Sequence, residues 1–406
     1  MKPALKPALS QALALADAQA QLLAMAGPLP AEDVPVSRTL GRYLTRSLVA
    51  RRTQPPADLS AMDGYALGDC TAGPWQVIGE SAAGHPFGGR ITATQAVRIS
   101  TGAVLPDGAM TVLLQEDAAR DGDALHLARE SPSPGRHIRR AGFDFTQGDA
   151  LRQVGERIDA AAIALAIAAG HATLPVCRPP SIVVIDSGDE LAADPTQCAP
   201  HQIPVSNGPM LEAMLAALPC TVRRIGPVPD DHAALAAALR DAEGADLVVT
   251  SGGASVGDHD LIRPALEEWG ADIAFWRVAM KPGKPLMVAR RGGQFVLGLP
   301  GNPVSSFVTA LLFLLPLVRA LLGARFPLPK RFHAPLGTEM KPGGIRLEFV
   351  RARWDGKRLV PLTEQDSSGL SALASANALI ERPPNAPAAA AGTLVPFILL
   401  ENGAIA

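Results

Sequence analysis

Cysteine is scarce in this 406-residue sequence, and the few cysteines lie far apart. They are Cys70, Cys177, Cys198 and Cys220, and they include no CxxC pair and no histidine partner at metal-ligand spacing. This pattern excludes a disulfide scaffold and a cysteine-based metal site. It indicates reduced thiols, which are typical of a cytoplasmic protein.

Net charge and long hydrophobic runs are also lacking. The net charge is −2 with 48 % hydrophobic residues and no stripe of basic residues, which excludes a disordered or nucleic-acid-binding chain. The most apolar run, Phe307 to Val318, is too short to span a bilayer, so we expect a buried helix there. Near the N-terminus, Asp17 and several glutamines interrupt the alanines, which favours an amphipathic helix over a signal peptide. We therefore expect no nucleic-acid or membrane partner.

The length of the chain and its changes of texture predict several domains. Residues 1–50 and 146–178 are expected to form one elongated, helical domain. Residues 51–145 contain short β-prone runs divided by glycine and proline, which predicts an inserted, mostly-β domain. We expect residues 179–327 to form an α/β domain and residues 328–406 to form a C-terminal domain that resembles a small β-barrel.

Strands alternate with helices throughout the predicted α/β domain, with a hairpin over 285–299 before a helix over 304–322. This alternation predicts a doubly wound, mostly parallel sheet with helices on both faces. Such sheets bind ligands at the carboxyl ends of their strands. In the elongated domain, helices are expected over 37–49 and over 160–169, the second closed by Gly170.

A glycine-rich loop, Ser251 to Gly257, follows one of these strands and precedes Asp258, Asp260 and a helix. Its glycines free backbone N–H groups that can bind phosphate. A tight turn without a ligand is the alternative. Neither GxxxxGK[ST] nor GxGxxG is present, which argues against the common nucleotide-binding loops.

Charged side chains follow the other strands of this domain. Carboxylates suit Mg²⁺, and lysines with free amides suit phosphate, so together they predict a site for a phosphoanhydride and a metal. Alternatively, the aspartates and Asn302 could cap helices, with Pro303 at a first helical position, and the lysines could be solvated. The residues are Asp189, Glu190, Asp230, Asp231, Lys281, Lys284 and Pro300 to Pro303.

A second polar group lies in the predicted inserted domain. It comprises the segments 58–66, 100–103 and 139–144, of which the first contains Asp63 and the last Asp144. A hairpin turn at Asp63 and Gly64 is the alternative to a functional role.

Seven motifs occur in an order that resembles the molybdopterin molybdenumtransferases, the family of bacterial MoeA and of the E domain of gephyrin and its plant counterpart. The resemblance covers about residues 8 to 405. It implies an α/β multidomain fold: a doubly wound, mostly parallel sheet domain like the molybdopterin adenylyltransferases, an inserted mostly-β domain, an elongated helical segment and a C-terminal β-barrel-like domain. The motifs are SAMDGYA, STGA, RRAG-x-D, SGDEL, TSGGASVG-x-x-D, MKPGKP and GLPGNPVS.

The resemblance implies an enzyme that inserts molybdate into the dithiolene of adenylylated molybdopterin, with Mg²⁺-dependent release of AMP. It implies a head-to-tail homodimer whose cleft lies between the α/β domain of one subunit and the inserted domain of the other. A molybdopterin adenylyltransferase and molybdoenzyme maturation factors are further candidate partners. The alternative is a catalytically weakened paralogue that acts as a molybdopterin carrier or scaffold, although such a protein has no need for the full acidic set.

The resemblance also implies the roles of individual residues. The implied catalytic residues are Asp63, Thr101, Asp144, Glu190 and Asp260. Glu190 and Asp260 are the implied Mg²⁺ ligands. The implied substrate-binding residues are Ser187, Gly188, Asp230, Gly252, Gly253, Ser255, Lys281, Lys284, Pro300, Asn302, Pro303, Arg351 and Ser367.

The sequence departs from the family pattern at several positions. Phe143 stands where the family has a glutamate beside Asp144, so we expect a drier rim to the cleft with one negative charge fewer. The other departures are Ala57 and Leu59 before the first motif, Val205, Arg277 for a frequent lysine, and Asp366 before Ser367.

Overall fold

A computed structural model describes residues 12–130, 132–252 and 261–400. The chain begins with helix α1 (Leu15–Met25), followed by strands β1 (Ala31–Pro35) and β2 (Leu48–Val49). The helix expected over 37–49 is wrong, because only a 3₁₀ turn, Val36–Arg38, forms there. Gly41 has φ +79°, which an α-helix does not allow, and its N–H donates to the carbonyl of Ile158 at 2.8 Å.

The inserted domain is a six-stranded sheet with a small ribbon beside it. The sheet has the order β7-β4-β6-β5-β9-β8, and β3 pairs with β10 in the ribbon. Trp75 lies in its core and donates from Nε1 to Asp69 at 2.7 Å. The strands are β3 (Leu59–Ser60), β4 (Gly64–Leu67), β5 (Trp75–Ser81), β6 (Gln95–Ile99), β7 (Thr111–Leu114), β8 (Ala118–Asp121), β9 (Ala124–Leu127) and β10 (Ile138–Arg139).

The chain then returns to its first segment. Strand β11 (Ala150–Arg152) pairs with β2, and β12 (Thr173–Cys177) pairs with β1. Between them lies α2 (Ala160–Ala168), where Asp159 accepts a hydrogen bond from the N–H of Ala162 at 2.7 Å. Gly170, with φ +91°, follows the helix, so the expected helix and its glycine end are confirmed.

The α/β domain contains a six-stranded sheet of order β16-β13-β17-β21-β20-β18. The first four strands are parallel, and β20 and β21 form the expected antiparallel hairpin. The elements are β13 (Ser181–Ser187), β14 (Leu191–Ala192), β15 (Ile203–Pro204), α3 (Asn207–Leu215), β16 (Thr221–Val228), α4 (His232–Asp241), β17 (Leu247–Ser251), α5 (Ile262–Glu268), β18 (Asp272–Arg277), β19 (Met280–Lys281), β20 (Pro285–Arg291), β21 (Gln294–Leu299), α6 (Pro303–Thr309) and α7 (Leu315–Leu321).

Both faces of this sheet are buried. Alternate residues of β13 and β17 point to opposite faces, so Val184 and Val249 join one apolar cluster while Val183 and Val248 join the other. Helices α3, α6 and α7 cover the first face, and α4 and α5 cover the second. The doubly wound, mostly parallel sheet is therefore confirmed.

Strand β23 is central to the C-terminal domain, and it also pairs with β19, which comes from the α/β domain. Strand β19 pairs in parallel with β23, placing Lys281 opposite Glu348. A bridge joins Leu336, which directly follows β22, to Leu359 of β24. It closes the sheet into the expected barrel-like form. The elements are β22 (Phe332–Pro335), β23 (Leu347–Trp354), β24 (Leu359–Pro361), α8 (Leu370–Ser375), β25 (Ala378–Arg382) and β26 (Leu394–Leu399).

The most apolar helix runs without a break from Pro303 to Leu321, with a π-helical turn at Ala310–Leu314 between α6 and α7. It is long and apolar enough to cross a membrane, but 89 % of it is buried inside the fold. The expected buried helix is confirmed. Pro316 has no N–H to donate to the carbonyl of Leu312, and the buried Gln19 of α1 donates to that carbonyl instead, at 2.8 Å.

We expect Gln19→Met to lower the free energy of unfolding by about 1–3 kcal/mol, because it removes the donor of a buried carbonyl while keeping the side chain's length. In a Pro316→Ala background the helix regains an N–H for Leu312, so the same change should cost less. Urea unfolding of the four proteins measures this difference. An equal cost in both backgrounds would contradict the assignment.

Candidate functional site

The carboxyl ends of the parallel strands open into a cleft of ≈ 620 Å³. Its wall includes Glu190 from the loop after β13, Gly252 after β17, and the Pro300–Pro303 segment after β21. Ser368 and Leu370 of the C-terminal domain close one side. The structure therefore brings together the predicted residues Glu190, Gly252, Pro300, Asn302 and Pro303.

A small cavity of ≈ 30 Å³ adjoins this cleft, and its lining includes Glu190 and four residues that the motifs did not single out as a group. Ser187 and Ser251 are only 4 % and 2 % exposed, and neither hydroxyl has a hydrogen-bond partner in the part of the chain that the structure describes. Asn207 donates from Nδ2 to the carbonyl of Gly301 at 2.7 Å, while its Oδ1 has no partner among the same described residues. Asp186 completes the set. Unpaired buried oxygens of this kind mark a place for a water or an ion.

Asp186 is only 3 % exposed, and sequence reasoning missed it. Burial raises the pKa of this carboxyl above its usual value, against the opposing effects of a hydrogen bond from the N–H of Gly208 and of Arg224. A Cβ at position 208 would lie 1.9 Å from Asp186 Oδ2. Glycine is therefore needed there for α3 to approach the carboxylate. The only sequence signal was an aspartate at the end of an otherwise apolar strand.

Two other acidic residues at the strand ends, Asp231 and Asp189, have structural partners. Asp231 accepts a hydrogen bond from the N–H of Ala234 at 2.9 Å, so the helix-cap alternative is correct for that residue. Asp189 Oδ1 accepts from the N–H of Asp230 at 3.0 Å, which joins the loops after β13 and β16. The exposed side chain of Asp230 lies at this junction.

The glycine-rich loop is described only as far as Gly252. The predicted residues Gly253, Ser255 and Asp260 lie outside the described residues. The N–H of Gly252 donates to the carbonyl of Leu299 at 3.3 Å, so this amide is not free for phosphate as the sequence suggested. Gly188, next to Glu190, likewise donates its N–H, to Val228 at 3.0 Å.

A second cavity, of ≈ 690 Å³, lies between the α/β and C-terminal domains. It is lined by the predicted residues Lys281, Lys284 and Ser367 and by Arg346 and Glu348, which sequence reasoning missed. Lys281 Nζ lies 3.7 Å from Glu348 Oε1, as the pairing of β19 with β23 dictates.

The two large cavities adjoin one another. Pro285 lines both of them. Asn302 occupies the N-cap position of α6, but its Nδ2 donates to Ser367 Oγ at 3.2 Å and its side chain does not cap the helix. The cavity that Lys281 and Lys284 line is thereby joined to the Glu190 cleft.

Arg351 lies behind the loop that carries Ser367. Its side chain is almost completely buried and donates from Nη2 to the carbonyl of Asp366 at 2.9 Å and from Nη1 to that of Gly369 at 3.0 Å. Burial lowers the pKa of this guanidinium, against the opposing effects of Glu364 and Asp366. These contacts support a role in positioning the loop, and direct contact of Arg351 with a substrate stays a prediction.

In the inserted domain, Asp63 and Thr101 meet. Asp63 Oδ1 accepts from the N–H of Thr101 at 2.7 Å, and hydrogen bonds from Thr101, helped by the charge of Arg98, hold the pKa of Asp63 below its usual value. The hairpin-turn alternative is wrong, because Asp63 lies between β3 and β4, which belong to different sheets. A Cβ on Gly64 would lie 1.9 Å from the carbonyl oxygen of Leu113, so this close approach requires glycine.

The last segment of the inserted domain pairs with the segment before Asp63. Asp58 accepts from Arg140 Nη1 at 2.5 Å and from the N–H of Ala141 at 2.8 Å. Phe143 and Asp144 follow on this segment, and both side chains are exposed. The Asp63 group and the Glu190 group are built on separate six-stranded sheets.

The oxygens around Glu190 suit a hard cation. Among the described residues, no three His, Cys, Asp or Glu side chains cluster as a metal site. Mg²⁺, however, commonly takes one or two carboxylates and keeps several waters. Glu190, Asp186 and the unpaired oxygens of Ser187, Ser251 and Asn207 therefore fit this ion chemically.

Three family descriptions match the chain in order. Residues 13–170 match the MoeA N-terminal region (domains I and II), residues 183–320 match a probable molybdopterin binding domain, and residues 333–400 match the MoeA C-terminal region (domain IV). The fold and the order of these matches thus define a multidomain α/β protein with a MoeA-like arrangement of domains.

Curated relatives match most of the chain. The molybdopterin molybdenumtransferase of Haemophilus influenzae is 34 % identical over 80 % of this chain and 81 % of its own length. Molybdopterin molybdenumtransferase 2 of Mycobacterium tuberculosis is 35 % identical over 89 % of this chain and 93 % of its own length. A crystal structure of the molybdopterin biosynthesis MoeA protein from Pyrococcus horikoshii has a TM-score of 0.83 at 25 % identity, covering 96 % of this chain and 100 % of that chain. The chain belongs to the molybdopterin molybdenumtransferase (MoeA) family.

We expect Arg351→Lys to loosen the loop 365–369, because lysine cannot donate to both loop carbonyls through one planar group. The free energy of unfolding should fall by about 1–3 kcal/mol, and amide hydrogen exchange in the loop should accelerate. The matched control is Arg353→Lys, at an exposed position of the same strand. Equal exchange rates in the two variants would contradict the positioning role.

Proposed function

We propose that this chain is a cytoplasmic enzyme of molybdenum cofactor biosynthesis. It inserts molybdate into the dithiolene of adenylylated molybdopterin and releases AMP in a Mg²⁺-dependent reaction. One observation carries the proposal: a cavity lined by lysines adjoins a cleft lined by Glu190, and the Asn302–Ser367 contact joins them. Family membership supports the same reaction.

The Glu190 cleft suits the phosphoanhydride of the substrate, because it lies at the carboxyl ends of parallel strands. When bound, Mg²⁺ would neutralise charge on the phosphate oxygens as AMP leaves. Glu190 would help to hold that ion, and the rigid Pro300–Pro303 segment would orient the substrate.

The lysine-lined cavity suits an oxyanion and the sulfur end of the pterin. Lys281, Lys284 and Arg346 supply positive charge for molybdate, and Ser367 supplies a hydroxyl group. The cavity is much larger than a tetrahedral oxyanion, which leaves room for the dithiolene beside it. Glu348 holds Lys281 at the wall through their ion pair.

The proposal includes a homodimer with a shared site. Asp63 is exposed yet held by Thr101, and Asp144 is exposed on the adjoining segment. Exposed carboxylates held in fixed positions are what a cleft completed by a second subunit requires. The inserted domain of one subunit would thus face the Glu190 cleft of the other.

We expect the purified protein to release AMP when given adenylylated molybdopterin, molybdate and Mg²⁺. Glu190→Ala should lower the rate by about 10²-fold or more, because it removes a charge from the reacting region. Glu116→Ala, at an exposed carboxylate of the inserted domain, is the control and should leave the rate unchanged. Tight pterin binding by the wild type without any AMP release would instead support the carrier or scaffold.

The shared site predicts complementation between inactive variants. Mixing Asp63→Ala with Glu190→Ala subunits should restore about a quarter of wild-type activity, because half of the randomly formed dimers carry one intact cleft. Subunit exchange is verified by mass spectrometry of the mixed dimers. Full exchange without recovery of activity would contradict a site built from two subunits.

A further inference from the structure

Asp186 is a buried carboxylate for which the family motifs give no role. It lies at the end of β13, in register with Ser251 of the parallel strand β17. Glu190 and Asp186 line the same small cavity, together with Ser187, Asn207 and Ser251. This cavity therefore contains oxygen donors from two neighbouring strand ends and from the start of α3.

Three of these donors have no partner among the described residues. The hydroxyls of Ser187 and Ser251 and the Oδ1 of Asn207 are buried and make no hydrogen bond within residues 12–130, 132–252 and 261–400. Leaving such groups unpaired costs about 1–3 kcal/mol each, so a species that contacts all three has a large effect on stability. Both serine side chains are more than nine-tenths buried and line the cavity.

The charge of the cavity favours a cation over a water molecule. Two carboxylates line it, and none of its described lining residues is a lysine or arginine. A water would satisfy the hydroxyl and amide oxygens but would bring no positive charge to the buried Asp186, which the N–H of Gly208 and the charge of Arg224 stabilise only in part. An ion with two positive charges balances both carboxylates. The volume of ≈ 30 Å³ leaves little space beyond a small ion.

We propose that Asp186, with Glu190 and the oxygens of Ser187, Asn207 and Ser251, forms the binding site for the Mg²⁺ ion of this enzyme. The inference rests on the proposed function for the ion's role, while the site itself follows from the cavity. All five donors are oxygens, the ligands that Mg²⁺ prefers, and two carboxylates is the number it commonly takes. Asp186 is thus a metal ligand beneath the substrate cleft.

Binding of Mn²⁺, a paramagnetic substitute for Mg²⁺, tests the site directly in the full-length protein. Water proton relaxation measures the affinity of Mn²⁺, and competition with Mg²⁺ shows that both ions use one site. We expect Asp186→Asn to weaken Mn²⁺ binding by at least about tenfold. Asparagine keeps an oxygen that can accept the N–H of Gly208, and circular dichroism checks that the variant folds.

The matched control is Asp194→Asn. Asp194 is exposed and accepts the N–H of Thr196, a bond that asparagine can keep. We expect this variant to bind Mn²⁺ as tightly as the wild type. Ser251→Ala provides a second test that does not change the charge, and it should weaken binding several-fold.

Unchanged Mn²⁺ affinity in folded Asp186→Asn, or no Mn²⁺ binding by the wild type, would overturn the inference. Either result could occur while the wild type still releases AMP, in which case the proposed function stands and only the ligand assignment fails. Conversely, weaker binding by Asp186→Asn together with an absence of AMP release would support the metal site and contradict the proposed reaction.

Discussion

The parallel pairing of three buried strands, β13, β17 and β21, is the constraint on which the candidate site depends. Parallel strands place their carboxyl ends at one edge, so Asp186, Ser251 and Leu299 lie side by side although they are far apart in the sequence. Apolar side chains on both faces hold the register, because a slip by one residue would turn every strand's side chains to the wrong face.

A second pairing brings the C-terminal domain to this edge. The two-residue strand β19 joins the sheet of that domain, and this places Lys281 against Glu348. On the same strand as Glu348, the buried Arg351 holds the carbonyls of Asp366 and Gly369, and with them the loop of Ser367. Residues of two domains therefore surround the lysine-lined cavity, and the hydrogen bonds from Arg351 to backbone carbonyls hold the loop that forms part of its wall.

Local patterns predicted much of this fold, and their failures have physical causes. Alternating strands and helices after residue 180 predicted the doubly wound sheet, because buried parallel strands and covering helices have distinct apolar patterns. The helix expected over 37–49 failed because Gly41 adopts a positive φ and the segment bonds to residues 156–158. An Asp-Gly pair is typical of hairpin turns, which is why a hairpin at Asp63 was an alternative. In the structure, however, β3 pairs with β10, and β4 pairs with β6 and β7.

By itself, the amino-acid sequence determined the family, the sheet, the buried helix and the lysine and carboxylate motifs, since each depends on residues close together in the chain. Only the tertiary structure decided which of those residues meet. In the folded chain, Arg351 lies beneath a loop and donates to its carbonyls. The amide of Gly252 donates to the carbonyl of Leu299, and Asp186 lies beside buried oxygens that have no partner among the described residues. Such contacts depend on strand register and domain packing across long stretches of chain, and no local pattern encodes them.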